Sequence, residues 1–271
     1  MKTRIIVAVV AIPLLLICLL ALPTVCTAVL VGLMCALAAY ELLWGTGIVR
    51  HMRLVTYTAV MGLLTALWCH FHMSYAAAVL GILVFTAVLF AELLSARGEL
   101  PFEKIAVCFA GGVIIPMMLT ALVRIITWEE GRFFVLLPFL LAFTSDSGAY
   151  FAGRFLGKHK LAPVISPNKT VEGVAGGVAG AIVGMLIYCV VLDLAFRFRV
   201  NYLFALAYGI LGSLGAVFGD LAFSAIKRQT GIKDYGNLIP GHGGVLDRFD
   251  SMTVVAPLTE ALLLLIPFAV R

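Results

Sequence analysis

The sequence predicts an all-α, polytopic integral membrane protein with about nine transmembrane helices and a cytoplasmic N-terminus. Of its 271 residues, 63% are hydrophobic and only 12% charged, whereas an average soluble chain is about half apolar and about a quarter charged. The apolar residues also fall in runs of about 20, the length a helix needs to cross a bilayer. A soluble domain of this size would lack its polar surface.

Cutting the chain at charges, Gly and Pro gives the spans in order: Ile5–Leu22, Val25–Trp44, Leu54–His70, Tyr75–Leu94, Ile105–Val123, Phe133–Phe151, Val171–Phe196, Tyr202–Ile226 and Met252–Val270. The opening Met1–Leu22, basic and then apolar, reads as the first span and not a secretory leader, because no soluble domain follows it. Only Pro23 and Thr24 separate the first two spans, so eight or ten stay open as counts. With nine, Arg124, Arg132, Arg197, Arg199 and Arg271 lie on one side and every other Lys and Arg on the opposite side. The basic excess marks the cytoplasm. The loops 154–170 and 227–250 then share the cytoplasmic face of a cell (inner) membrane.

The chain reads as a single membrane domain, 1–271. Residues 1–100 supply packing helices and candidate dimer contacts, with Glu41 and Glu92 the only acids well inside an early span. Chemistry concentrates in 142–251, which holds Asp146, Glu172, Asp220, Asp234, Asp247 and Asp250. No internal repeat is evident, which weighs against transporters built from duplicated halves. The six Cys form no CxxC pair and read as small apolar residues; His70 and His72 beside Cys69 read as interfacial. Gly173 and Gly177, the series Gly176, Gly180, Gly184, and the pair Gly215, Gly219 have the small-xxx-small spacing that lets helices approach closely in lipid.

The densest polar stretch is Gly219–Asp250. In a continuing helix Asp220, Ser224 and Lys227 share a face, and so do Asp247, Asp250 and Ser251 at the start of the last span. Carboxylates without Cys or His suit a hard cation, Mg²⁺ above all, which takes one or two of them and completes its shell with substrate phosphates. Lys227, Arg228, Lys233 and Arg248 would meet the remaining phosphate charge. Pro240–Gly244 offers backbone that can approach a polyphosphate. Acids for a metal alternating with bases for phosphate are what phosphoryl or nucleotidyl transfer requires. Gly153–His159 lacks the Walker A spacing, so this is not a P-loop protein. Two smaller clusters add to the set. In Ser166–Gly173, Asn168 or Thr170 caps the seventh span with Lys169 alongside, and Thr144–Gly148 contributes Asp146.

These residues resemble the phosphatidate cytidylyltransferases, or CDP-diacylglycerol synthases. That family's C-terminal signature is matched at Ser224, Lys227, Arg228, Lys233, Asp234, Gly236, Pro240, His242, Gly243, Gly244, Asp247, Arg248 and Asp250. Its Lys-Thr-x-Glu-Gly element is matched from Lys169 to Gly173, and its Asp in the preceding span at Asp146. The first 100 residues match only in hydrophobicity. The resemblance implies transfer of CMP from CTP to phosphatidic acid, giving CDP-diacylglycerol and pyrophosphate. It also implies Mg²⁺, a second cation such as K⁺, membrane lipid as surroundings, a homodimer, and no nucleic acid partner. The catalytic candidates are Asp220, Asp247, Lys227, Arg228 and Asp250. Those for the metal are Asp220, Asp247 and Asp146, and those for substrate are Lys169, Asn168, Ser224, Lys233, Asp234, His242, Gly243, Gly244 and Arg248. A polyprenol kinase or archaeal-lipid cytidylyltransferase shares the logic but not the complete signature, and a transporter gives no reason for the basic loops.

Overall fold

The structure is a computed structural model that describes residues 2–239, 241 and 243–271, with side chains from Val9 onward; Met1, Pro240 and His242 lie outside the described residues. Its helices are α1 (Lys2–Leu20), α2 (Thr24–Tyr40), α3 (Met52–His70), α4 (Tyr75–Ser95), α5 (Phe102–Phe109), α6 (Ile115–Leu119), α7 (Ala121–Ile126), α8 (Gly131–Phe134), α9 (Leu137–Leu156), α10 (Val171–Phe196), α11 (Tyr202–Gln229), α12 (Leu246–Phe249) and α13 (Met252–Leu265). Four short strands make two antiparallel pairs. β1 (Lys160–Ala162) pairs with β2 (Ser166–Thr170), and β3 (Arg199–Val200) with β4 (Ala269–Val270). Helices dominate because lipid offers no partner to an unpaired backbone group.

Seven helical segments among the described residues are long and apolar enough to span a bilayer: Thr24–Gly45, Met52–His70, Tyr75–Ser95, Phe102–Ile126, Gly131–Leu156, Val171–Phe196 and Tyr202–Gln229. These correspond to the second through eighth spans read from the sequence. At the N-terminus the described apolar stretch is the shorter Val9–Leu20. At the C-terminus α13 covers 14 residues and ends before Pro267, and Ala269–Val270 is strand, not helix. Fourteen helical residues extend only about 21 Å.

The chain divides into two compact units, one of Met1–Arg132 with Gln229–Phe249, the other of Phe133–Arg228 with Asp250–Arg271. In the first, α2 and α3 pack through small side chains: a Cβ on Gly32 would stand 3.2 Å from the Leu63 carbonyl and one on Gly62 3.4 Å from Cys35. Leu43, Leu54, Val55, Phe85, Leu89 and Cys108 fill the core beside them. Two π-helical turns, Glu41–Gly45 and Ala110–Ile114, interrupt this unit's helices. The second of these precedes Pro116, whose ring cannot join an α-helical hydrogen-bond ladder.

In the second unit the small-xxx-small spacing acts as the sequence predicts. A Cβ on Gly180 would lie 2.6 Å from the Thr144 carbonyl, and one on Gly148 would overlap Gly176, so α9 and α10 meet backbone to backbone. Gly215 faces Leu258, and Gly219 faces Asp250 and Ser251. Phe133, Phe134, Phe196, Phe198 and Phe268 close one end in a series of edge-to-face contacts.

Gly180→Leu should therefore force α9 and α10 apart. Overpacking costs about 1–3 kcal/mol or more, which lowers the melting temperature of detergent-solubilised protein by roughly 3 °C or more. Val183→Leu, on an exposed position of the same helix, should leave it unchanged.

Candidate functional site

The residues singled out from the sequence fall into two clusters, one in each unit. In the second unit α11 stays helical to Gln229, which sets Asp220, Ser224 and Lys227 on one face. Ser224 Oγ donates to Asp220 Oδ1 at 3.1 Å, and Lys169 Nζ pairs with Asp220 Oδ2 at 2.5 Å. β2 delivers Lys169 to this point because the next residue caps α10: Thr170 Oγ1 accepts from Gly173 N at 3.1 Å. Thr170 is thus the cap, and Asn168 is exposed on β2.

Lys227 is only 8% exposed. Arg228 is exposed, and its Nε donates to the Ile165 carbonyl at 3.2 Å, tying the β1–β2 connection to the end of α11. Asp146 lies exposed on α9 beside Ser145, which is buried and hydrogen-bonded to Ser213 at 2.7 Å.

Glu172, which the sequence reading left without a role, latches the same hairpin. Its carboxylate accepts from Lys158 N at 3.1 Å and His159 N at 3.2 Å, and meets His159 Nδ1 at 2.6 Å. The strands are not foreseen in the sequence: the segment has no alternation of apolar and polar residues, and the N–H groups that lead into β1 are taken by this later acid.

The expected shared face of Asp247, Asp250 and Ser251 does not form as one continuous helix. α12 ends at Phe249 and α13 begins at Met252. Asp250 Oδ1 takes the Ser251 N–H at 2.7 Å, a donor that an unbroken helix would direct to residue 247. Asp250 shows the general competition of short polar side chains with helical hydrogen bonds.

The second cluster is a cavity of about 520 Å³ in the first unit, lined by Lys233, Asp234, Asn237, Ile239, Gly241, Gly243 and Arg248. Lys233, Asp234, Gly243 and Arg248 are expected from the sequence, and Gly241 belongs to the Pro240–Gly244 run read there as a phosphate-approaching backbone; Asn237 and Ile239 are not, since nothing in their spacing marks them. Ile239 N donates to the Gly243 carbonyl at 2.9 Å, closing the loop across its base. Gly243 has φ +86°, and a Cβ there would stand 2.9 Å from Asp247 Oδ2, so backbone and space both require glycine. Asp247 is 7% exposed; its Oδ2 accepts from Gly244 N at 2.9 Å and Tyr235 N at 2.8 Å. Glu41 is placed against this loop as well. Its position as an acid inside an apolar run was the signal, because such residues are rare without a function. His242 lies outside the described residues.

Among the described residues no three Asp, Glu, His or Cys side chains group as metal ligands. Each unit nevertheless carries a carboxylate, Asp220 in the second and Asp247 in the first, and such hard oxygen donors are the kind that Mg²⁺ takes, one or two at a time, beside water and phosphate.

Apolar spanning helices and a polar, glycine-edged cavity carrying Lys233, Arg248 and Asp234 define a polytopic membrane protein. A sequence model of the cytidylyltransferase family matches residues 2–266. The chain belongs to that family. It is 44% identical over 138 residues to the phosphatidate cytidylyltransferases of Staphylococcus saprophyticus and Staphylococcus aureus, and 43% to that of Staphylococcus haemolyticus. Each alignment takes in 51% of this chain and 52% of the relative, so the chain spans about half the length of the relatives it matches.

Glu172→Ala should release the hairpin. Limited trypsin digestion should cut after Lys158 and Lys160 several-fold faster than in wild type, with cleavage elsewhere unchanged. Equal rates at these sites would contradict the latch.

Proposed function

We propose that this chain transfers CMP from CTP to phosphatidic acid, forming CDP-diacylglycerol and pyrophosphate for phospholipid biosynthesis. The observation that carries the reading is the cavity lined by Lys233, Arg248, Gly241 and Gly243, in a chain whose helices are those of a membrane protein. Its volume suits a nucleotide, and its position in a lipid-embedded protein suits an acceptor that stays in the bilayer. The names of the relatives support the same donor and acceptor.

In the proposed reaction a phosphate oxygen of phosphatidic acid attacks the α-phosphorus of CTP in line. The new O–Pα bond forms as the bond from Pα to the bridging oxygen breaks, and pyrophosphate leaves with the electron pair. The attacking phosphate is anionic near neutral pH, so positioning and charge neutralisation carry the catalysis. Lys233 and Arg248 hold the nucleotide's phosphates, the glycine edge at Gly243 and Gly244 lets them approach the backbone closely, Asp234 lines the same cavity, and His242 is assigned to the nucleotide on the resemblance alone.

Lys169, Lys227 and Arg228 serve the second cluster, with Asn168 and Ser224 at its edge. The Lys169–Asp220 pair is about a quarter to a third exposed, at 23% and 32%, and an exposed pair contributes about 1 kcal/mol or less. A phosphate can therefore displace Asp220 from Lys169 at small cost. Mg²⁺ is the proposed cofactor, with Asp220 and Asp247 as its carboxylates and Asp146 and Asp250 in support; when bound it neutralises developing phosphate charge. A second cation such as K⁺, a homodimer, nine spans, a cytoplasmic N-terminus and a site facing the cytoplasm complete the proposal.

Detergent-purified protein incubated with labelled CTP, phosphatidic acid and Mg²⁺ should move label into the lipid fraction, and EDTA should stop it. Asp247→Asn should lower turnover more than 100-fold while its melting profile stays that of a folded protein. Wild-type turnover in that variant would remove Asp247 from the cation site; no label transfer by folded wild type would remove the proposed reaction.

A further inference from the structure

Glu41 lies 204 residues before the loop it touches, in the π-helical turn that ends the second span. It is 3% exposed. Its Oε1 accepts from Val245 N at 2.9 Å and its Oε2 from Leu246 N at 2.7 Å. The surrounding backbone is shaped to admit the carboxylate. A Cβ on Gly244 would stand 2.5 Å from its oxygens and one on Gly236 2.8 Å from Oε1, while one on Gly45 would overlap the Tyr235 carbonyl. The residues that Glu41 grips sit between two atoms of the candidate site: Gly244 N, which donates to Asp247 Oδ2, and Asp247 itself. Tyr235, whose carbonyl faces Gly45, supplies the second N–H to the same oxygen.

We infer that Glu41 is a positioning residue for the proposed nucleotidyl transfer. By holding the N–H groups of Val245 and Leu246 it fixes the 243–247 backbone, and through that backbone it sets the direction of the Asp247 carboxylate and the glycine edge of the cavity. It is not among the residues that line the cavity. A carboxylate is needed because two N–H groups converge on it and each takes one oxygen; charge-assisted bonds of this kind are about twice as strong as neutral ones. Glutamine offers a single oxygen and would turn an amide N–H₂ toward a backbone N–H. The inference rests on the reading of Asp247 as a cation ligand.

The test uses the full chain in detergent as wild type, Glu41→Gln, Glu41→Asp, Glu41→Ala and Asp247→Asn. Hydrogen–deuterium exchange is measured without substrate or metal, and CMP transfer is measured against Mg²⁺ concentration. Glu41→Gln should stay folded, with exchange in peptides covering 243–249 at least 10-fold faster and the 158–170 hairpin unchanged. Its kcat should fall at least 10-fold and its half-saturating Mg²⁺ should rise several-fold, with Glu41→Ala more severe. A purely structural role would reduce the yield of folded enzyme and leave the Mg²⁺ requirement of the folded fraction as in wild type, and that result would overturn the inference. So would wild-type exchange in 243–249, wild-type kcat despite faster exchange, or failure of both Glu41→Gln and Glu41→Asp to fold. Wild-type rates in Asp247→Asn would instead overturn the cation-ligand reading, while the exchange result would still report whether Glu41 holds the loop.

Discussion

Two buried carboxylates, those of Glu41 and Asp247, set the constraint around which the first unit is arranged. Removing a carboxylate from water is costly unless donors replace the lost hydration. The donors here are the main-chain N–H groups of Tyr235, Gly244, Val245 and Leu246. Most of the segment from 230 to 245 has no regular helix or strand to occupy its N–H groups. Acid and loop satisfy one another. Gly236, Gly243 and Gly244 fall where any side chain would meet a carboxylate, so the glycines of the signature are space for charge as well as freedom for backbone.

The second unit treats its acid differently. Asp220 is partly open to solvent and is held by an ammonium and a hydroxyl, both on flexible side chains. Main-chain donors fixed by a folded loop hold a carboxylate in one direction, while a partly solvated ion pair exchanges partners at small cost. A fixed acid suits a role in setting geometry, and an exchangeable pair suits a phosphate that must arrive and leave. Glu172 and Arg228 bring Lys169 within reach by holding the hairpin from two directions.

Much of this was legible in the sequence because lipid simplifies the reading. Apolar runs give most of the spans directly, the glycine spacing in 173–184 marks a close helix approach whose partner, α9, only the structure names, and the 3.6-residue period places Asp220, Ser224 and Lys227 on one face. Four of the seven cavity-lining residues follow from the signature. What stayed hidden depends on partners remote in sequence or on one side chain overriding a regular pattern. Glu172 takes the N–H groups leading into the β1–β2 hairpin, the Asp250 carboxylate takes its neighbour's N–H where the helix breaks before α13, and the grip on the signature loop comes from Glu41, more than 200 residues away. Glu41 was visible as an acid in an apolar span, but its target was not.

The measurement closest to the central claim is equilibrium binding of CTP to the detergent-purified chain, without lipid substrate, in wild type, Lys233→Ala and Arg248→Ala. If the loop cavity is the nucleotide site, wild type binds CTP and each variant binds at least 10-fold more weakly while remaining folded. Variants that bind CTP as wild type does, or a folded wild type that does not bind it, would contradict the account.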